Sequence, residues 1–223
     1  ALLNKMPFDA DKDFVPIALV AEVPMILVVR GDSPWRSLDD LLKAAELAKS
    51  NRLKMASAGT GTVGHLAGEM LAKRTGLQFL HIPYKGAVPA ITDLLGMRLQ
   101  LMFPALAAVQ PHIQAGTLRA LAVTTRKRTA LAPDLPTVSE SGLADFEVGG
   151  WIGIFAPKGT PSDVLNTLTR AISEIMKEEE LRQGLSKIGI EAMPGSSQAL
   201  RERVESDSRR WEKVIKSRKM ELQ

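Results

Sequence analysis

The residues best suited to chemistry in this chain run from Ser57 to His65, in the order Ser57-Ala58-Gly59-Thr60-Gly61-Thr62-Val63-Gly64-His65. They follow an apolar segment that reads as a strand, Leu53 to Ser57. They open a segment that reads as a helix, from about Gly64 to Thr75, stopped by Gly76. Glycines in such a turn let backbone N–H groups face outward, and a free helix N-terminus carries partial positive charge. Ser57, Thr60 and Thr62 add hydroxyl donors, and His65 closes the run. The arrangement suits a carboxylate or a phosphate without needing a full countercharge. The plainer alternative is a Gly-rich turn that only joins two elements.

Gly59, Gly61 and Gly64 also fit the G-x-G-x-x-G spacing of dinucleotide sites. That chemistry needs an acid at the end of the next strand, for the ribose hydroxyls. The next strand instead ends His81-Ile82-Pro83-Tyr84-Lys85, which counts against a dinucleotide. The segment Pro83-Tyr84-Lys85-Gly86 is a second candidate, because ligands of open parallel sheets sit beyond the carboxyl ends of strands. Lys85 would supply positive charge and Gly86 a close backbone approach; a surface lysine on a turn is the alternative. The loop after Phe103 is a third, where Pro104 and Ala105 offer backbone groups and shape. Trp151 reads first as a core residue, although a tryptophan at a domain junction can wall a cleft.

No catalytic residue is assigned. Ser57 and His65 make a conceivable nucleophile pair, but no G-x-S-x-G elbow surrounds the serine. His65, His81 and His112 lack metal spacing such as H-E-x-x-H, and cysteine is absent, so no metal or cofactor is expected.

The elements that must hold these loops alternate. Two short strands, Phe14 to Val20 and Met25 to Arg30, are separated near Pro24. An amphipathic helix spans Ser37 to Lys49, with a capping box from Ser37 to Asp40 and an apolar stripe of Leu38, Leu41, Leu42 and Ala45. After the 53–75 strand and helix come a strand from Leu77 to Ile82, a helix from Val88 to Leu95 and a strand from Leu99 to Phe103. A helix from Ala107 to Ala115 and a strand from Leu118 to Thr124 complete the series. Short connections between apolar strands and helices predict a parallel sheet covered on both faces.

Beyond Thr124 the chain is loop-rich to about residue 147. A strand from Gly150 to Ala156 follows, and then a helix capped by Thr160 with Pro161 in its first turn. Its buried face is expected to hold Val164, Leu165, Leu168, Ile172 and Ile175. A short strand, Ile188 to Met193, and a charged helix from Ser197 to about Lys216 end the chain; that helix is expected to pack through Leu200, Val204, Trp211 and Val214. The predicted division is residues 1–22 with 127–223 as one lobe, and 23–126 as the lobe that carries the ligand loop.

Composition narrows the function. Hydrophobic residues at 45% and charged residues at 24% mark a globular chain. The net charge of +4 is spread along the sequence rather than gathered on one element, so it favours acidic small solutes over nucleic acid. The longest apolar run, Met25 to Val29, is far short of the roughly 20 residues of a membrane helix. No signal-peptide pattern opens the chain.

An ordered series of motifs resembles the solute receptors of tripartite tricarboxylate transporters, the Bug-type receptors. The series begins with Lys12-Asp13-Phe14-Val15-Pro16, then Ser57 to His65 with Leu66-Ala67 and Glu69, then Pro83-Tyr84-Lys85-Gly86 with Pro89-Ala90 and Asp93-Leu94. It continues through Gly116-Thr117-Leu118-Arg119-Ala120-Leu121-Ala122-Val123, Leu135-Pro136-Thr137 with Glu140-Ser141-Gly142, and Trp151-Ile152-Gly153 with Ala156-Pro157 and Gly159-Thr160-Pro161.

The resemblance implies an α/β fold of the type II periplasmic-binding-protein kind, two lobes with mainly parallel sheets. It implies a periplasmic receptor that closes on a small carboxylate and delivers it to membrane permease subunits, without itself spanning the membrane. The implied ligand loop maps onto Ser57 to His65, with Lys85 and Gly86 beside it. Two departures stand out. Nothing matches the family's Pro-Gly-Gly ligand loop, so lobe one is expected to be incomplete. Pro104 stands near a position where many members have Asp, which favours an unsubstituted carboxylate over an amino acid. The rival function is a doubly wound enzyme using a nucleotide or dinucleotide.

Overall fold

The computed structural model describes residues 7–48, 52–218 and 220. In chain order its first elements are β1 (Phe14–Val23), β2 (Ile26–Arg30), α1 (Leu38–Leu47), β3 (Lys54–Ser57), α2 (Val63–Thr75), β4 (Leu80–Pro83), α3 (Ala87–Leu95) and β5 (Leu101–Met102). They are followed by α4 (Leu106–Gln114), β6 (Leu118–Val123), β7 (Gly150–Pro157), α5 (Ser162–Ile175), α6 (Glu179–Lys187), β8 (Glu191–Gly195) and α7 (Ser197–Arg218). Contacts divide the chain into two compact units. One combines the described residues up to Val23 with those from Trp151 to Arg218; the other is built from Pro24–Gly150.

The Pro24–Gly150 unit holds a five-stranded sheet in the order β4-β3-β5-β2-β6. β3 pairs in parallel with both β4 and β5, whereas β2 runs antiparallel to both β5 and β6. The parallel pairing expected from the alternation holds for β4-β3-β5, and the sheet becomes mixed where β2 joins it. The physical reason is that β2 is central: Ile26, Leu27, Val28 and Val29 are fully buried. A strand covered on both faces has the same apolar run in either direction. Leu94 of α3 and Val109 of α4 pack in one cluster with Ile26, Val28, Ala56 and Met102 of the sheet, and Leu38 and Leu41 of α1 and Leu71 of α2 are buried as well. The capping box of α1 is present, with Asp40 N–H donating to Ser37 Oγ at 3.1 Å and Ser37 N–H to Asp40 Oδ2 at 3.1 Å. Lys49, the expected end of that helix, lies outside the described residues.

Residues 127–150 pack with this unit, not with the chain ends. Val138 N–H donates to Val123 O at 2.9 Å and Val148 N–H to Thr124 O at 2.8 Å, and Val138, Phe146 and Val148 are fully buried. Their Pro- and Gly-rich sequence reads only as loop because irregular backbone shows no periodicity, even where its apolar side chains fill a core.

The other unit is a three-stranded sheet, β7-β1-β8, with β1 antiparallel to β8. Leu165 and Ile172 of α5 pack against Ile17, Ala18 and Ala156. Val164, Leu168 and Ile175, expected on the same buried face, are 41%, 40% and 48% exposed. On α7, Leu200 and Val214 are buried while Val204 and Trp211 are only partly so. The α5 cap also differs from expectation: Pro161 occupies the N-cap position, and the Thr160 hydroxyl donates to Pro157 O at 2.8 Å.

Candidate functional site

β3 and β4 are parallel neighbours, so their carboxyl ends lie at one edge of the sheet, and each leads into a helix. Tyr84 N–H donates to Ser57 O and Gly86 N–H to Ala58 O, both at 3.0 Å, which ties the second loop to the first. The N-termini of α2 and α3 thus begin side by side. Neither has a side-chain cap: Thr62 and Gly86 occupy the cap positions without a capping hydrogen bond. In α2 the first helical bond is Leu66 N–H to Thr62 O at 3.0 Å, which leaves the amides of Val63, Gly64 and His65 outside the helical ladder. Uncapped amides at two helix starts make a region of partial positive charge.

The glycines were expected to let backbone N–H groups face outward, but two of their amides turn inward. Gly59 N–H donates to Ser57 Oγ at 3.2 Å, and Gly61 N–H to His65 Nδ1 at 3.0 Å. Both amides are spent inside the loop. What these glycines supply is backbone conformation, with φ of +145° at Gly59 and +80° at Gly61. Gly64 has another role. A Cβ there would stand 2.3 Å from Phe103 O, so the residue lets α2 lie against the end of β5.

Two of the hydroxyls are likewise committed. Ser57 is buried; its Oγ donates to Gly59 O at 3.0 Å and lies 2.7 Å from His81 Nε2. The Thr62 hydroxyl donates to Gly59 O at 2.8 Å. Thr60, half-buried, has no side-chain hydrogen bond among the described residues.

His81 was not among the expected site residues, yet it forms the floor of the loop. Its ring stacks on that of His65, with centroids 3.6 Å apart and planes 8° from parallel. Burial, reinforced by the neighbouring His65 and opposed by Glu69, pushes its pKa down to about 4. His65 is buried, and its Nε2 is 3.7 Å from Glu69 Oε1, one helical turn along. His81 aligns with Met55, two residues before Ser57, on the adjacent strand. Its sequence neighbours give no hint of this; strand pairing does.

The remaining candidates are placed as follows. The Tyr84 hydroxyl donates to Asp93 Oδ2 at 2.6 Å, and burial together with this bond pushes its pKa up to about 12. Lys85 is exposed. Pro104 is buried and its carbonyl accepts from Ile26 N–H at 3.0 Å, so its backbone acceptor is used in holding β2. Trp151 belongs to the other unit, where its indole N–H donates to Asp207 Oδ2 at 2.8 Å. Among the described residues no group of three or more His, Asp or Glu side chains is placed to hold a metal ion. Nor is any described helix long and apolar enough to cross a membrane.

Known proteins share this chain's sequence and fold. The family described as "Tripartite tricarboxylate transporter family receptor" matches residues 1–220. A Pseudomonas sp. protein, "UPF0065 protein in tcbD-tcbE intergenic region", is 39% identical over 212 residues, covering 95% of this chain. The chain spans 63% of the length of that curated relative. Among solved structures, "R. palustris Rpa4515 with adipate" is 33% identical with a TM-score of 0.87, covering 100% of this chain and 74% of that one. "MatC (Rpa3494) from Rhodopseudomonas palustris with bound malate" is 30% identical with a TM-score of 0.79, covering 96% and 74%.

Proposed function

The chain belongs to the tripartite tricarboxylate transporter receptor family, and from that membership we propose that it binds a small carboxylate in the periplasm for delivery to a membrane permease. The observation that carries this reading is the pair of uncapped helix N-termini, α2 and α3, knitted together at the carboxyl ends of β3 and β4. Partial positive charge and unspent amides suit a carboxylate. The Pro24–Gly150 unit is then the lobe that carries the ligand loop. Within it, the amides of Val63 and Gly64, the hydroxyl of Thr60 and the charge of Lys85 are the groups offered to the anion. Ser57, Gly59, Gly61, Thr62, His65, Tyr84 and Gly86 shape the loop rather than donate to the ligand, and Pro104 contributes shape alone.

The adipate and malate held by two solved relatives favour a dicarboxylate as the solute. A receptor rather than a catalytic role is supported by Ser57, whose buried hydroxyl is engaged on both sides. Thermal shift and calorimetry against adipate, malate, monocarboxylates and NAD(P) test the reading. Stabilisation by at least one carboxylate is expected, lost in Gly61→Val with the fold intact by circular dichroism. Stabilisation by NAD(P) alone would replace the receptor with the dinucleotide enzyme.

A further inference from the structure

The third residue of a helix often carries Glu or Gln, whose side chain reaches back to an amide at the helix start. In α2 that residue is His65, and its Nδ1 accepts from Gly61 N–H at 3.0 Å, one residue before the Thr62 cap. The bond fixes the proton of the neutral ring on Nε2, which faces Glu69 Oε1 at 3.7 Å. The ring is 5% exposed and stacked at 3.6 Å on His81, which in turn contacts Ser57 Oγ, the acceptor for Gly59 N–H. Two parallel imidazoles at that separation cannot both carry a proton without strong repulsion. A stacked pair of rings, His65 buried and His81 half-buried, therefore holds the Gly61 amide directly and the Gly59 amide through Ser57.

We propose that His65 is a positioning and specificity residue of the carboxylate loop: a neutral acceptor that fixes Gly61 without placing negative charge at the anion site. The proposal rests on the carboxylate reading above. A glutamate here would make the same kind of hydrogen bond, but its charge would oppose the ligand and cancel part of the field of α2. An imidazole whose Nδ1 accepts from Gly61 N–H is an uncharged acceptor, and it separates the two requirements. His81 completes the device by stacking on the His65 ring and bracing Ser57.

Two arms of one experiment test this. In the chain itself, ¹⁵N shifts of the imidazoles at pH 7 should show His65 neutral with its proton on Nε2. A cationic ring or a proton on Nδ1 overturns the proposal, whether or not any solute binds. The second arm measures adipate affinity in His65→Asn and His65→Asp, which offer an isosteric acceptor to Gly61 without and with charge. His65→Asn should retain affinity within about fivefold, and His65→Asp should bind at least about tenfold more weakly, with the gap narrowing in high salt. Urea unfolding monitors the fold of both variants, and Gly61 amide exchange monitors the loop. Equal affinities in the two folded variants would overturn the charge argument. If no carboxylate binds the native chain, the receptor reading falls, while the ¹⁵N arm still decides the state of His65.

Discussion

At the scale of single residues, the loop is held by contacts whose strength depends on protonation. His81 has a folded pKa near 4 against an ordinary value of 6.5, lowered first by burial. Between those values the unfolded chain binds more protons than the folded one, so stability rises with pH across that window. The contribution of neutral His81 is thus complete above about pH 6.5 and is lost as pH falls toward 4. Urea midpoints taken from pH 7 down to pH 4 should fall, and His81→Gln should flatten the decline; an unchanged slope in the variant would remove His81 as its source. Ser57, Gly59, Gly61 and His65 could be picked from the sequence as one loop because they are contiguous. Their roles could not, since which amides are spent depends on where His65 and Ser57 point.

At the scale of elements, close approach decides what the glycines of the helices do. A Cβ on Gly64 would meet Phe103 O at 2.3 Å, and backbone cannot easily move aside. On Gly184, in the exposed helix α6, it would meet nothing within 4 Å. Gly64→Ala should destabilise by about 1–3 kcal/mol through overpacking. Gly184→Ala should stabilise by about 0.5–1 kcal/mol, because alanine loses less backbone freedom on folding. Urea unfolding of the two variants checks the opposite signs. Both residues look alike in sequence as helical glycines; only what stands opposite separates them. The elements themselves were largely legible. The capping box at Ser37, the Gly76 stop with φ of +74° and the strand–helix series from β3 to β6 follow from local pattern. Helix α6 is not legible in the sequence, since its strongly polar residues offer few apolar side chains to mark a buried stripe.

At the scale of the whole molecule, a net charge of +4 should speed the encounter with an anionic solute. Stopped-flow association with adipate is expected to slow as ionic strength rises, because screening shortens the reach of the field to about 8 Å at physiological salt. A salt-independent rate would leave only the local helix termini to attract the ligand. What the sequence alone determined was the α/β class, the order of most elements and, through an ordered motif series, the family; it also singled out Ser57 to His65 as the loop proposed to hold the anion. These depend on local periodicity, turn chemistry and residue identity. Only the tertiary structure decided that β2 runs against its neighbours, that residues 127–150 belong with the Pro24–Gly150 unit and that His81 lies beneath the loop. Each depends on which segments meet across the sheet, and such pairings of distant residues leave no trace in the local pattern of either partner.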